Sequence, residues 1–207
     1  MAGHFEATPG GGAAVALDDV EISILRSLAV QLLELIGPGD TPAEGEDPLA
    51  ALFAEGPSKP PSDPALARLF PDAYGGPYGS APEGTSEEEL RELSAEFRRF
   101  TEMDLRSRKR EDALAVVRTL DALSPAGDGA AVLTLTALEC RAWLGALNDL
   151  RLTIGTRLEV SDEDEDEDEG ENGSLYRLPD SDPRKPMVMA YLWLGALQET
   201  LVETLMP

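Results

Sequence analysis

The chain has 207 residues, of which 42% are hydrophobic and 5% aromatic, so it is long enough for one domain with a mainly aliphatic core. Forty acidic residues against 17 basic ones give a formal net charge of −23, and a field of that sign repels nucleic acid and anionic lipid from the molecule as a whole. One cysteine in 207 residues excludes an intrachain disulfide.

The first predicted elements are a small hairpin and a helix. Residues 4–7 and 13–17 form two short extended pieces around a glycine-rich turn, which predicts a β-hairpin. Asp18 then provides an N-cap for a helix that runs to about Ile36, where a Gly-Pro-Gly sequence ends it. The predicted buried face of this helix has apolar residues three or four positions apart: Val20, Ile24, Leu28, Leu32 and Leu35.

A flexible linker rich in Pro, Gly, Ser and acidic residues is predicted for residues 37–86. Two short helices, at 47–53 and 63–70, interrupt it, because each begins with Asp followed by Pro, an N-cap and a proline tolerated in the first turn. The stretch 71–85 has no hydrophobic period and is expected to be mobile.

A long helical segment follows the linker. Ser86 and Glu89 form a capping box at its start, and the apolar period continues to about Leu123. A second, weaker N-cap signal at 101–104 indicates a break or bend there. The predicted core residues are Leu90, Leu93, Phe97 and Phe100 in the first part, and Ala113, Val116, Val117 and Leu120 in the second.

The next helix begins with a capping box made by Thr136 and Glu139 and ends near Leu158. Its predicted core residues are Leu147, Leu150, Ile154 and Leu158. A disordered acidic loop is predicted for residues 161–182, since residues 162–169 are eight consecutive acids that cannot pack together.

The last helix is predicted to start at Asp182-Pro183. Its first half, residues 187–197, is apolar on all sides and is therefore expected to be central. This apolar run is too short to cross a bilayer, which needs about 20 residues. No cationic segment followed by an apolar stretch occurs at the N-terminus, so we expect neither a signal peptide nor a membrane partner. We expect a cytoplasmic location.

Together these elements predict an all-α fold. We expect residues 1–207 to form a single domain, a bundle of four to five main helices with a small N-terminal β-hairpin and the disordered acidic loop. The sequence Trp-Leu-Gly-Ala-Leu occurs at 143–147 and again at 193–197. Since a mid-helix glycine is tolerated where another backbone comes close, we expect these two helices to cross near Gly145 and Gly195.

The usual chemistry of active sites is missing from the sequence. His4 is the only histidine, which removes triads and histidine-based metal sites, and the helical surroundings of Cys140 favour a structural thiol. Residues 127–129 are only a fragment of a dinucleotide fingerprint and indicate a turn, and no P-loop is present. If Gly170 is taken as position six of an EF-hand, Tyr176 occupies position twelve, where a glutamate is required. We predict no catalytic residue, metal or cofactor.

One segment departs from the general acidity. Residues 98–110 include six basic residues and only two acidic ones. A helix that carries these basic residues could contact phosphates or a partner. The alternative is a solvated face with internal ion pairs, such as Glu102 with Arg106, and with Lys109 or Arg110 meeting acids elsewhere. In a third interpretation, the acidic tract 162–169 lies over this face as a tethered anion. The candidate interaction surface consists of Arg98, Arg99, Arg106, Arg108, Lys109 and Arg110.

Three polar residues interrupt the helix that follows Thr136. Arg141 and Asn148 are seven residues apart on one face, and Arg151 is three residues further on. They either pair with buried carboxylates or carbonyls, which is the favoured interpretation, or line a polar cleft.

Residues 108–114, 142–152 and 187–194 resemble an actinobacterial family of unknown function, and the resemblance covers nearly the whole chain apart from the linker and the acidic loop. Members of that family are often encoded beside the gene for the ClpS protease adaptor, so the resemblance implies a regulatory or adaptor role and a protein partner among Clp-system components. It offers no active site to transfer. The predicted function is therefore a non-enzymatic protein-binding or regulatory protein linked to Clp-type proteolysis. The alternatives are a transcriptional regulator that uses the basic face 98–110, although nucleic acid is not the expected partner, and, third, an enzyme that relies on carboxylates and arginines.

Overall fold

A computed structural model of the chain describes residues 3–38, 56–75, 84–123, 130–160 and 178–206. Within these ranges the fold is mostly helical, as predicted, and contains a small antiparallel sheet. In chain order the elements are β1 (Glu6–Ala7), β2 (Ala13–Leu17), α1 (Asp19–Ile36), α2 (Pro64–Leu69), α3 (Glu87–Asp121), β3 (Ala131–Leu135), α4 (Ala137–Arg157) and α5 (Lys185–Leu205).

The helix starts predicted from capping residues are confirmed for the first four helices. Asp18, Ser86 and Thr136 each accept a hydrogen bond from the backbone three residues later, and the glutamate at that position bonds back to the cap residue. Asp63 caps α2, whose first residue is Pro64.

The predicted start of the last helix is wrong, and the break that was one of two outcomes predicted at 101–104 is absent. The helix α3 is continuous over 35 residues. At the expected break, the Thr101 hydroxyl donates to the Phe97 carbonyl at 2.8 Å, within the helix, instead of capping a new one. The helix α5 begins at Lys185 rather than at Pro183, because Asp182 accepts hydrogen bonds from Arg184 and makes a turn before the helix.

The N-terminal hairpin is confirmed, and a third strand extends it. The sheet order is β1-β2-β3, with Ala13 opposite Leu135 and Leu17 opposite Ala131. No strand was predicted for residues 131–135, although their burial alternates as in a half-buried strand. The apolar side of the sheet faces the helices.

The helix α4 is the centre of the fold. It packs against α1, α2, α3 and α5, and its four predicted core residues are all buried. The ring of Trp143 is fully buried, contacts Phe5 edge to face at 6.0 Å, and donates from its Nε1 to the Thr119 hydroxyl at 2.9 Å. The expectation that the first half of α5 is central is wrong, because Met187 and Met189 are exposed.

Two predicted helix faces are displaced. In α1 the buried residues are Leu25, Ala29, Leu32 and Ile36, whereas Val20 and Ile24 are exposed. In the first half of α3, the stripe expected in the core faces solvent, and the residues buried there are Ser94, Arg98 and Glu102. The sequence pattern could not predict these outcomes. Apolar side chains lie on more than one face of α1, and the polar face of α3 is buried because its charges have partners in distant segments.

The glycines of the repeated sequence do not meet each other. A Cβ atom on Gly145 would lie 2.6 Å from the Asp112 carboxylate of α3, and one on Gly195 would lie 3.4 Å from Nε of Arg151. The helices α4 and α5 do pack together, with Gly155 of α4 against the Tyr191 ring. The predicted crossing at Gly145 and Gly195 is therefore wrong, because Gly145 faces α3 instead.

The described part of the predicted linker contacts α3. The Gly56 amide donates to the Arg99 carbonyl at 3.0 Å, and the Tyr74 backbone forms two hydrogen bonds with the Ser94 hydroxyl. The predicted helix 47–53, the turn 127–129 and the acidic tract 162–169 lie outside the described residues. No helix in the described ranges is both long and apolar enough to cross a membrane.

Candidate functional site

The six basic residues predicted as an interaction surface all lie on α3, but they do not share one solvent-facing patch. The side chain of Arg98 is only 4% exposed, and those of Arg106, Lys109 and Arg110 are partly buried. Arg99 and Arg108 are exposed.

Arg98 is the centre of a buried ionic cluster. It donates to the Glu102 carboxylate, which is 3% exposed, to the Asp72 carboxylate at 2.8 Å and to the Phe70 carbonyl at 3.1 Å. Burial lowers the pKa of Arg98, but its hydrogen bonds to Asp72 and Glu102 raise that pKa by more. Arg98 of α3 thus binds the segment that follows α2, through Phe70 and Asp72.

Arg106 and Arg110 bind the C-terminal end of α1. Arg106 donates to Glu102 at 2.8 Å and to the Ile36 carbonyl, and Arg110 donates to the Gly37 carbonyl. Cations are favourable here because the last carbonyls of a helix have no partner within it and carry partial negative charge. The predicted ion pair of Glu102 with Arg106 is present. Arg106 and Arg110 both connect α3 to the end of α1.

Lys109 meets a buried acid on α4. It donates to Asp149 at 2.6 Å, and the Asp149 side chain is 3% exposed. Burial raises the pKa of Asp149, and Lys109 offsets part of that rise. Four of the six predicted cations are therefore bound inside the molecule, and use of this segment as an interaction surface stays a prediction.

The three polar residues of α4 line two different grooves. Arg141 and Gly145 border a groove between α3 and α4, whereas Asn148 and Arg151 lie beside Tyr191 of α5. Arg151 donates to Gln198 at 2.8 Å, and its guanidinium lies 5.2 Å from the centre of the Tyr191 ring. The structure places Arg141 in one groove and Asn148 with Arg151 in another, and a polar cleft shared by all three residues stays a prediction.

An exposed apolar stripe is the feature that the sequence reasoning misplaced. Leu93, Phe97 and Phe100 of α3, which we call the α3 stripe, are 39%, 48% and 70% exposed. Their spacing of four and three residues puts them on one face of the helix. More than a third of each of these side chains is exposed, so a stripe expected in the core faces solvent.

A groove runs along one side of the α3 stripe. Its volume is about 200 Å³, and its apolar lining includes Pro71, Ala73, Phe97 and Leu105. The Tyr74 ring meets the Phe97 ring edge to face at 6.3 Å. The buried Arg98 and Glu102 lie at the base of the same groove, since both are among its lining residues.

An acidic ridge runs along the other side of the stripe. Glu89, Glu92 and Glu96 are exposed, follow one another at intervals of three and four residues, and border a depression shared with Leu93. A hydrogen bond from the Ser86 backbone lowers the pKa of Glu89. The first half of α3 therefore presents an apolar stripe between an acidic ridge and an apolar groove.

The residues most often used in catalysis do not converge. His4 is exposed beside Glu6, at 3.2 Å, and Cys140 is fully buried, where burial raises the pKa of its thiol. Among the residues that the structure describes, no group of three His, Cys, Asp or Glu side chains could hold a metal ion.

The model of the family described as "Domain of unknown function (DUF2017)" matches residues 2–205. The "Oxidative stress regulator AosR" of Mycobacterium tuberculosis is 30% identical to the chain over 188 residues, which is 90% of this chain and 78% of that protein. A Mycobacterium leprae relative that also carries the AosR name is 31% identical over 188 residues, with 90% and 79% covered. No solved structure matches the chain.

Proposed function

This chain belongs to the DUF2017 family, and on that premise we propose that it is a regulatory protein that acts by binding a protein partner rather than by catalysis. The names of the mycobacterial relatives support a regulatory role. The scattered positions of His4 and Cys140 support the absence of catalysis.

The observation that carries this proposal is the exposed α3 stripe. Two phenylalanines and a leucine on one helix face, beside an apolar groove, form a larger apolar surface than isolated exposed side chains do. Aromatic side chains are enriched among the residues that contribute most to protein–protein binding. The stripe therefore has the composition of a protein contact.

The alternative, a transcriptional regulator that uses residues 98–110, has less support. At least four of the six basic side chains bind carboxylates or carbonyls of the same chain, so they are not available as a continuous basic face. The net charge of −23 opposes contact with phosphates. Strong retention on heparin at physiological salt would favour this alternative.

The proposal is tested by affinity purification from the cytosol of the native host, followed by quantitative mass spectrometry. The wild-type chain is compared with Phe100→Ala and with the control Leu138→Ala, which removes an apolar side chain that is 77% exposed on α4. A supporting result is a partner retained by wild type and the control but lost with Phe100→Ala.

The partner is then purified and its affinity measured directly. We expect Phe100→Ala to weaken binding by about 30-fold, corresponding to about 2 kcal/mol for an aromatic anchor, while Leu138→Ala changes it little. The link with Clp-type proteolysis rests on the family resemblance alone, and Clp subunits among the Phe100-dependent partners would support it. If no partner depends on Phe100, the α3 stripe is not the contact surface and the proposal fails.

A further inference from the structure

We propose that the α3 stripe receives a basic, amphipathic helical segment of the partner protein. This inference rests on the proposed function and adds the chemistry of the bound segment. Three features support it: the length of the stripe, the acidic ridge beside it and the net charge of the full sequence.

The length of the stripe suits a helix. Leu93 and Phe100 are seven residues apart, so their side chains are spread over about 10 Å of helix axis. Two turns of a partner helix cover the same length and present apolar residues at positions i, i+3 or i+4, and i+7. Leu105, which is 38% exposed, extends the apolar surface into the groove next to Phe97.

The acidic ridge indicates that the partner segment is positively charged. Glu89, Glu92 and Glu96 run parallel to the stripe on one side, so lysines or arginines flanking the apolar face of a docked helix would lie opposite them. On the groove side, the charges of Arg98 and Glu102 are already paired with each other and buried. The carboxylates of Glu89, Glu92 and Glu96 therefore make the ridge side of Leu93 and Phe97 negative.

The overall charge favours a basic partner over a second copy of this chain. Two copies with a formal charge of −23 each repel one another, whereas a cationic segment is attracted from a distance and arrives faster at low salt. A strongly acidic partner is disfavoured for the same reason.

The test uses a synthetic probe with the full-length chain. The probe is a fluorescein-labelled peptide of about 18 residues, five helical turns, with leucines on one face and lysines on the other. A second peptide of the same composition has its residues scrambled, so its charge is unchanged but it has no apolar face. Fluorescence anisotropy reports binding, and we expect the amphipathic peptide to bind at least about tenfold more tightly than the scrambled one.

Matched variants separate the ridge from the general acidity of the chain. Glu92→Gln with Glu96→Gln removes two charges beside the stripe, and Glu163→Gln with Glu165→Gln removes two charges from the acidic tract. We expect the ridge variant to weaken binding of the amphipathic peptide several-fold more than the tract variant, and Phe100→Ala to weaken it by about tenfold or more. The ridge variant should also show a smaller salt dependence than wild type.

Four results would overturn the inference. Equal binding of the two peptides would mean that charge alone attracts the probe, and equal effects of the ridge and tract variants would mean that the ridge has no special role. Concentration-dependent dimers in sedimentation experiments, abolished by Phe100→Ala, would identify a second copy as the occupant. If the native partner depends on Phe100 but the amphipathic peptide does not bind, only this inference fails and the proposed function stands.

Discussion

The buried ionic cluster on α3 leads to a stability prediction that can be worked out from its contacts. The change is Glu102→Gln, which keeps the size of the side chain but removes its charge and replaces one of its two acceptor oxygens with an amide NH2 donor. In the native chain this carboxylate, 3% exposed, faces Arg98, which is 4% exposed, and Arg106, which is 18% exposed. The substitution therefore leaves two largely buried cations without their shared anion.

The expected loss of stability depends on the contacts that Arg98 and Arg106 keep in the variant. Removing one partner of a buried ion pair costs about 3–5 kcal/mol, because an uncompensated charge stays out of water. Arg98 retains Asp72, and Arg106 retains the Ile36 carbonyl and the ring of Phe70, so we expect the lower end, about 3 kcal/mol. At 2–4 °C per kcal/mol for a chain of this size, the melting temperature should fall by roughly 6–12 °C.

Urea denaturation followed by circular dichroism measures this loss, with Glu96→Gln as the control. Glu96 is on the same helix, six residues earlier, and is exposed, so the same chemical change should have little effect there. The loss at Glu102 should also persist in high salt, because buried charges are screened far less than exposed ones.

A loss below about 1 kcal/mol, or one equal to that of Glu96→Gln, would refute the reasoning. It would mean that water or other groups compensate the two arginines, and that Glu102 is not what holds them.

Two further predictions concern buried groups on α4. Burial raises the folded-state pKa of Asp149, so the stability that this group contributes is fully present below its unfolded pKa of about 3.9 and is lost as the pH rises through the folded value. The free energy of unfolding of Asp149→Asn relative to wild type should therefore increase with pH above about 4, and a difference that stays flat or falls would contradict the assignment. The Cys140 thiol is fully buried, and burial raises its pKa. A thiol reagent should therefore label Cys140 only at the rate of global unfolding. Rapid labelling of the native chain would show that the thiol is accessible.

Local sequence signals predicted the helix starts well because they act over short distances. A Ser, Thr or Asp followed three residues later by Glu satisfies free amides at a helix start whatever surrounds it, and Asp18, Ser86 and Thr136 all do so. The apolar period of α4 also predicted buried residues correctly at Leu147, Leu150 and Ile154, but not that this helix is the central one.

Which face of a helix becomes buried could not be decided in the same way, because that choice depends on distant parts of the chain. In the first half of α3, Phe97 and Phe100 compete with Arg98 and Glu102 for the buried side. The ionic side is buried because Asp72, the Phe70 carbonyl and the end of α1 supply partners that are 26 or more residues away in sequence. Strand β3 was missed for a related reason, since its partner strand β2 is more than 100 residues earlier.

The ionic cluster and the α3 stripe are two consequences of one packing choice. Burying Arg98 and Glu102 leaves Phe100 exposed on the opposite side of the same turns and leaves Phe97 partly exposed beside the groove. The contacts of Arg98 with Phe70 and Asp72 also hold the following residues, Pro71 and Ala73, as the wall of the groove beside Phe97. The buried charges thus shape the apolar surface that they leave exposed. It follows that Glu102→Gln should weaken partner binding as well as stability, although Glu102 itself lies beneath the surface where the partner would bind.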